Sequence, residues 1–165
     1  MHRVEVEIPL PPTAVISEDG KYRYFLSRTL NSSGSTVTFI GLNPSTADAT
    51  ADDPTIRRCM GFVRSWGGRQ LWMVNLFAFR STSPAALYSA ADPVGAENDM
   101  WLERAVTSSD LVLAAWGNHG KLLARADQIR NRFRGMLHAL SVTKAGMPGH
   151  PLYVRGNTRP RLLGP

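Results

Sequence analysis

The chain has 165 residues, 43% of them hydrophobic, which suits one globular domain with a substantial core. Its single cysteine, Cys59, excludes an internal disulfide and a cysteine-based zinc or iron–sulfur site. No apolar run approaches the roughly 18–20 residues that cross a bilayer. Residues 1–7 alternate as in a strand and do not resemble a signal peptide. We therefore expect a cytoplasmic protein without a membrane partner.

The net charge is +6, from nineteen basic and thirteen acidic residues, and most of the basic residues are arginine. Arginine makes forked contacts to phosphate, so this balance favours a polyanionic partner. A generally arginine-rich coding bias is the alternative explanation. The arginines form three clusters, at Arg57-Arg58-Arg64-Arg69, at Arg125-Arg130-Arg132-Arg134 and at Arg155-Arg159-Arg161.

The first thirty residues predict an antiparallel hairpin. Two alternating runs, Ala14–Ser17 and Tyr22–Leu30, flank Asp19-Gly20, and Asp-Gly is a strong hairpin signal. We interpret residues 1–35 as an N-terminal extension of a core that begins at Thr36.

From Thr36 the pattern alternates between strands and helices, which is typical of an α/β fold. The predicted strands are Thr36–Ile40, Gln70–Asn75, Asp110–Ala115 and Met136–Val142. The predicted helices lie near Pro54–Trp66, Pro84–Tyr88, Val94–Thr107 and Gly120–Phe133. We expect a three-layer α/β/α sandwich with a four-stranded, mostly parallel sheet. The whole chain, 1–165, is then one domain, with its core at 36–154 and a basic tail at 155–165.

The first core strand stops abruptly at Gly41-Leu42-Asn43-Pro44. Gly41 permits close approach of the backbone to a ligand, and Pro44 fixes the turn, so Asn43 is held stiffly at the strand end. In open α/β sheets ligands bind at this edge. An ordinary strand exit with an Asx turn is the alternative.

Polar and aromatic residues also follow the other core strands. Asn75 ends the second strand, Trp116 ends the third with His119 close behind, and His150 follows the fourth. Because parallel strands share one carboxyl edge, these side chains are predicted to surround one pocket with Asn43. Amides there provide the donor and the acceptor needed to read a nucleobase edge.

The ordered series Gly-x-Asn-Pro, strand-end Asn, apolar-Trp-Gly and His-Pro resembles the uracil-DNA glycosylase superfamily from about Val37 to Val154. Within it, the loop Gly41–Asp48 and the Asp-Asp-Pro-Thr segment at 52–55 resemble a bacterial and phage family with little established function. The superfamily has Asp and Asn branches at its first motif, and Asn43 is similar to the Asn branch.

The resemblance implies roles for individual residues. Asn43 positions the attacking water and His150 hydrogen-bonds the departing base, which makes them the expected catalytic pair. Leu152 or Tyr153 is the expected wedge that enters the duplex. The expected base-binding residues are Gly41, Leu42, Pro44, Ser45, Asp48, Asn75 and Trp116. The expected DNA-binding residues are Arg57, Arg58, Leu152, Tyr153 and Arg155.

The chain also departs from the superfamily pattern. Ser45-Thr46-Ala47 replaces the bulky aromatic that blocks substituents on pyrimidine C5, which indicates a roomier pocket. The second motif lacks the usual Ser-Pro after His-Pro. Three acidic residues, Asp48, Asp52 and Asp53, either recognise substrate hydroxyls or cap local structure. Asp53 precedes Pro54 as a good helix N-cap.

Together these features predict a monofunctional DNA glycosylase that needs no metal, cofactor or obligatory protein partner. Its expected substrate is double-stranded DNA carrying a flipped 5-substituted pyrimidine, such as glucosylated hydroxymethylcytosine in phage DNA. The product would be an abasic site, with a role in phage defence. The alternatives are repair of uracil or deaminated bases, a non-catalytic nucleic-acid-binding module, and an enzyme for free nucleosides or nucleotides.

Overall fold

The computed structural model of the protein describes residues 13–164. The described strands are β1 (Thr13–Ile16), β2 (Arg23–Thr29), β3 (Thr36–Gly41), β4 (Gln70–Asn75), β5 (Leu111–Ala114), β6 (Leu137–Ala139) and β7 (Arg161–Leu162). The described helices are α1 (Pro54–Ser65), α2 (Pro84–Ser89), α3 (Asn98–Ser108) and α4 (Arg125–Arg132). The predicted α/β class is confirmed. The strand suggested for residues 1–7 lies outside the described residues.

All seven strands form one mixed sheet in the order β1-β2-β4-β3-β5-β6-β7, so the prediction of a four-stranded sheet was wrong. The four neighbouring strands β4, β3, β5 and β6 are mutually parallel. The hairpin is part of this sheet, because β2 pairs antiparallel with β4, with Leu26 opposite Met73. The tail also contributes β7, antiparallel to β6. Both additions cover edges of the parallel core that would otherwise expose unpaired backbone groups.

The sheet separates two apolar clusters. On one face, Trp101 and Leu102 of α3 and Ile129 of α4 pack together with Val74 of β4. On the other face, the buried side of α1 packs against alternate residues of the same strands, including Phe39. The period-two alternation of β3, β4 and β5 therefore supplies both cores.

Helix α1 begins as the sequence predicts. Asp53 is its N-cap: its Oδ1 accepts the Ile56 N–H at 2.9 Å, and Pro54 occupies the first turn. Such a cap stabilises a helix by about 1 kcal/mol. The helix ends before Gly67, whose φ of +73° suits glycine. Burial raises the pKa of the Cys59 thiol on the inner face of α1, which makes it an unreactive packing residue.

The helix predicted over Gly120–Phe133 is interrupted. Asn118–Ala124 forms short 3₁₀ turns, and α4 begins only at Arg125. The break lies at Leu123 and Ala124, whose φ values of +53° and +55° place both in the left-handed region. Leu122 is partly buried against the core whereas Leu123 is 58% exposed, so the apolar spacing does not reflect one continuous helix. No helix within residues 13–164 is long and apolar enough to cross a membrane.

Candidate active-site cleft

A cleft of about 560 Å³ opens at the carboxyl ends of β3, β4 and β5. Ten of the residues predicted for the site line it: Gly41, Leu42, Asn43, Pro44, Ser45, Asn75, Trp116, His150, Leu152 and Tyr153. His119 lines it as well. Four predicted residues, Asp48, Arg57, Arg58 and Arg155, are not among the side chains that line it. The chemical roles of the lining residues stay predictions.

The amide of Asn43 is held in one orientation. Its Nδ2 lies 3.1–3.2 Å from the carbonyl oxygens of Pro44, Phe79 and Ser81. Only an N–H group can donate to these oxygens, so the nitrogen is fixed on their side. Among the described residues nothing donates to the Asn43 Oδ1. A rigidly placed acceptor therefore remains for a water molecule or a ligand.

Asn75 forms part of the cleft floor and is 2% exposed. Its Nδ2 is buried and has no hydrogen-bond partner within residues 13–164. A buried donor without a partner is costly, which marks this amide as available to a ligand. A Cβ added at Gly41 would lie 2.7 Å from Asn75 Oδ1, so this glycine makes room for the amide itself.

One ring nitrogen of His150, Nε2, is left to bind a ligand in the cleft. Its Nδ1 accepts the Leu152 N–H at 3.2 Å, which places the proton of the neutral ring on Nε2. Burial lowers the pKa of His150, and the nearby Asp53 opposes that shift. The ring is therefore neutral at pH 7, with an Nε2–H that can donate.

Trp116 belongs to the buried core and is 1% exposed, so it forms a wall of the cleft and offers no face for base stacking. Its Nε1–H is a second buried donor without a partner in the described part of the chain. His119 lies near the opening, where its Nδ1 is 3.1 Å from the Tyr88 hydroxyl.

The rim carries two exposed apolar side chains next to His150. Leu152 is 44% exposed and Tyr153 is 88% exposed, so either is free to contact a duplex. Arg58 donates to the backbone oxygens of Pro151 and Val154 and packs over the Phe62 ring. Its guanidinium thus connects the segment 151–154 to α1, and its contact with DNA stays a prediction.

The other two arginines predicted to bind DNA, Arg57 and Arg155, are exposed, and Arg57 donates to the Asp52 carbonyl. In the second arginine cluster the charge is largely engaged within the protein. Arg125 donates to the Leu76 carbonyl, and Arg132 forms an ion pair with Glu103.

The acidic loop at 48–53 mainly stabilises itself and its surroundings. Asp48 Oδ1 accepts the N–H groups of Ala51 and Thr50, which lowers the pKa of this carboxyl. Asp52 forms an ion pair with Arg28 at 2.8 Å. Asp48 therefore closes a local turn and does not line the cleft, and its contact with a base stays a prediction. Asp53 lines the cleft while capping α1.

Sequence reasoning missed Arg23, which lines the cleft and is 2% exposed. Because β2 runs antiparallel to β4, its first residue lies at the carboxyl end of the parallel strands. Treating the hairpin as a separate extension hid this placement. The available signal was an arginine inside the apolar run Tyr22–Leu26.

These features define an α/β domain with a polar cleft at the carboxyl ends of its parallel strands. A family model described as a protein of unknown function (DUF1643) matches residues 23–152, and the chain belongs to this family. Comparisons with curated proteins and with solved structures give no match.

Proposed function

We propose that the protein is a monofunctional DNA glycosylase that hydrolyses the bond between deoxyribose and a flipped, 5-substituted pyrimidine. The observation that carries the proposal is the meeting of Asn43, Asn75 and His150 around one cleft. The same residues carry the resemblance to the uracil-DNA glycosylase superfamily. Family membership alone assigns no activity.

Asn43 is suited to orient the water molecule that attacks the sugar. Glycosidic cleavage passes through a cationic sugar and an anionic base, so it needs an oriented water more than a strong base. The Asn43 Oδ1 is an acceptor whose direction is set by the three carbonyls that hold Nδ2. It orients the water through a hydrogen bond, and preorganisation of this kind lowers the barrier without any movement during the reaction.

Asn75 and His150 are suited to bind the flipped nucleobase and to stabilise it as it leaves. The buried amide of Asn75 is free to bind the polar edge of a flipped base. The Nε2–H of a neutral His150 donates to an oxygen on which charge develops. One such donor contributes about 3–4 kcal/mol to transition-state stabilisation.

The lining of the cleft supports a substituted base. Ser45 follows Pro44 with a small side chain, and the volume of about 560 Å³ exceeds what a plain pyrimidine fills. Four further polar uncharged side chains line the cleft: Thr55, Ser81, Thr82 and Asn118. They can bind hydroxyls of a substituent such as glucose, whereas Asp48 and Asp52 are not among the side chains that line the cleft. Phage DNA is a natural source of such bases, which points to a defence role.

Base release from defined DNA tests the proposal. The purified protein is incubated with three duplexes, carrying cytosine, uracil or glucosylated hydroxymethylcytosine, and free base and abasic sites are measured by mass spectrometry. We expect release from the glucosylated duplex and its loss in Asn43→Ala. A Gly61→Ala variant, altered at an exposed position of α1 with nothing within 4 Å of the added Cβ, is the matched control and is expected to keep wild-type release.

Release only from the uracil duplex would replace the proposal with a repair glycosylase. Binding to all three duplexes without base release, unchanged in Asn43→Ala, would contradict catalysis and support a binding module. Ligand binding that requires no polymer and depends weakly on salt would point to a free nucleotide, since DNA binding releases counterions.

A further inference from the structure

Arg23 is a buried guanidinium with unused donors at the cleft. Its Nη1 donates to the Ala47 carbonyl at 2.9 Å. Its Nε is buried and has no hydrogen-bond partner within residues 13–164. Arginine carries five N–H donors, so one protein hydrogen bond leaves most of this capacity unmet.

The group nevertheless carries its charge at neutral pH. Burial lowers the pKa of Arg23 to about 10, while Asp53 counteracts the shift. The two side chains meet at Ala47, whose N–H donates to Asp53 Oδ2 at 3.3 Å, but they form no ion pair within 4.0 Å. A buried charge held by so few partners is costly for folding, which calls for a reason outside the fold.

Arg28, on the same strand, shows that burial alone does not leave donors unused. Arg28 is 6% exposed, yet it binds Asp52 at 2.8 Å and donates to the carbonyls of Ser27 and Ala51. It does not line the cleft. The protein therefore pairs most donors of Arg28 within the fold and leaves most donors of Arg23 without a partner at the cleft.

The depth of Arg23 limits what can reach it. At 2% exposure it is inaccessible to a phosphate of a polymer backbone passing over the rim. Arg23 lines the cleft itself, so the open part of its guanidinium faces the space that a base flipped out of the duplex enters. The contacting group is then the base itself, and a cation beside it acts at low dielectric, where charge interactions are strong.

We propose that Arg23 contacts the flipped base and stabilises the negative charge that develops on it as the glycosidic bond breaks. The inference rests on the proposed glycosylase function. In this step the C1′–N bond breaks and its electron pair stays on the base. The water oxygen forms the new bond to C1′, and its proton ends on the base. Arg23 keeps all its protons and acts through hydrogen bonds and charge.

The test compares Arg23→Met with Arg28→Met, which removes the arginine of the same strand whose donors are mostly paired within the fold. Single-turnover base release is measured on the glucosylated duplex, and binding is measured on a duplex with a tetrahydrofuran abasic analogue, which lacks the base. For Arg23→Met we expect a rate loss of about 10²–10³-fold, with abasic-duplex binding changed by less than about twofold. Arg28→Met is expected to lower thermal stability more and the rate less.

Arg23→Lys keeps the positive charge but lacks the planar, multiple N–H donors of a guanidinium. It therefore tests the same contact if the methionine variant does not fold. We expect its rate to lie between those of the wild type and Arg23→Met, since a lysine restores the charge alone. A lysine variant with the wild-type rate would overturn a role for the hydrogen bonds of the guanidinium.

Equal rate losses in Arg23→Met and Arg28→Met would mean that Arg23 only supports the fold. Weakened abasic-duplex binding, with the salt slope reduced by about one, would make Arg23 a phosphate contact. Base release unaffected by Arg23→Met would overturn this inference alone. Absence of release by the wild-type protein would overturn the glycosylase proposal together with it.

Discussion

The cleft floor and the acidic loop at 48–53 are neighbouring polar regions with opposite hydrogen-bond states. On the floor, Asn75 and Arg23 bury donors that have no partner among the described residues. In the loop, Asp48 binds backbone N–H groups and Asp52 binds Arg28. Polar groups that are satisfied within the protein stabilise it, whereas buried groups left open are those a ligand can satisfy. The following predictions test this contrast.

The largest effect is expected at Asn43. In Asn43→Asp a carboxylate oxygen would replace Nδ2 against three carbonyl oxygens, so the side chain would be repelled from its position. We expect single-turnover base release to fall by about 10²–10³-fold. The added negative charge does not compensate, because the acceptor loses its fixed direction.

Asn43→Ala serves as the comparison, since it removes the acceptor without introducing repulsion. We expect it to lose as much activity as Asn43→Asp while retaining more thermal stability. A faster Asn43→Asp enzyme would show that the position needs a base, and our account of the fixed amide would be wrong.

The next effect concerns His150 and pH. Burial lowers the pKa of His150, so the neutral ring persists to a lower pH than in an unfolded chain. We expect the base-release rate to be level above about pH 6.5 and to fall as pH drops through the lowered pKa. Protonation of Nδ1 breaks the bond from the Leu152 N–H and disturbs the ring position. The measurement is a rate profile from pH 5 to pH 8.

In His150→Gln this acidic limb should disappear, and the rate at pH 7 should fall by about tenfold to a hundredfold. The free energy of unfolding of the wild-type protein should also decrease as pH falls. A group whose pKa is depressed on folding destabilises the fold as pH falls through that value. An acidic limb that persists in His150→Gln would assign the titration to another group.

A smaller effect is expected at Gly41. In Gly41→Ala the added Cβ meets Asn75 Oδ1 at 2.7 Å and Met73 Cε at 2.9 Å. Both are ends of buried side chains that must shift to admit the methyl group, so stability should fall by about 1–3 kcal/mol. The displaced Asn75 amide should lower activity by about tenfold.

Gly61→Ala is the matched control, because nothing lies within 4 Å of a Cβ at this exposed position of α1. Alanine in a helix interior is expected to raise stability by about 0.5–1 kcal/mol and to leave base release unchanged. Equal activity of Gly41→Ala and Gly61→Ala would remove Asn75 from the proposed mechanism.

The smallest effect on activity is expected in the acidic loop. Asp52→Asn weakens the 2.8 Å ion pair with Arg28, whose guanidinium keeps its carbonyl partners. Since the Asp52 side chain is 30% exposed, we expect a stability loss of only about 1 kcal/mol by thermal or chemical unfolding. Base release should stay within about twofold of wild type. A large rate loss with unchanged stability would bring this carboxylate into the substrate site.

Local patterns predicted much of the lining of the cleft. Asn43 follows β3, Asn75 ends β4 and His150 follows β6, and the shared carboxyl edge of parallel strands brings them together without knowledge of distant pairing. The cap at Asp53 is local too. The placement of Arg23 depends on which edge of the sheet the hairpin joins. The sequence pattern of the hairpin does not specify its partner strand. The ion pair of Asp52 joins residues 24 positions apart, so its structural role was equally hidden.

The most direct test of the central contrast measures base release and unfolding together for Asn43→Ala and Asp52→Asn on one glucosylated duplex. We predict that Asn43→Ala abolishes most of the release and also loses some stability, because three carbonyl oxygens lose their donor, whereas Asp52→Asn loses stability but keeps its rate. Release that survives in Asn43→Ala and fails in Asp52→Asn would contradict the account.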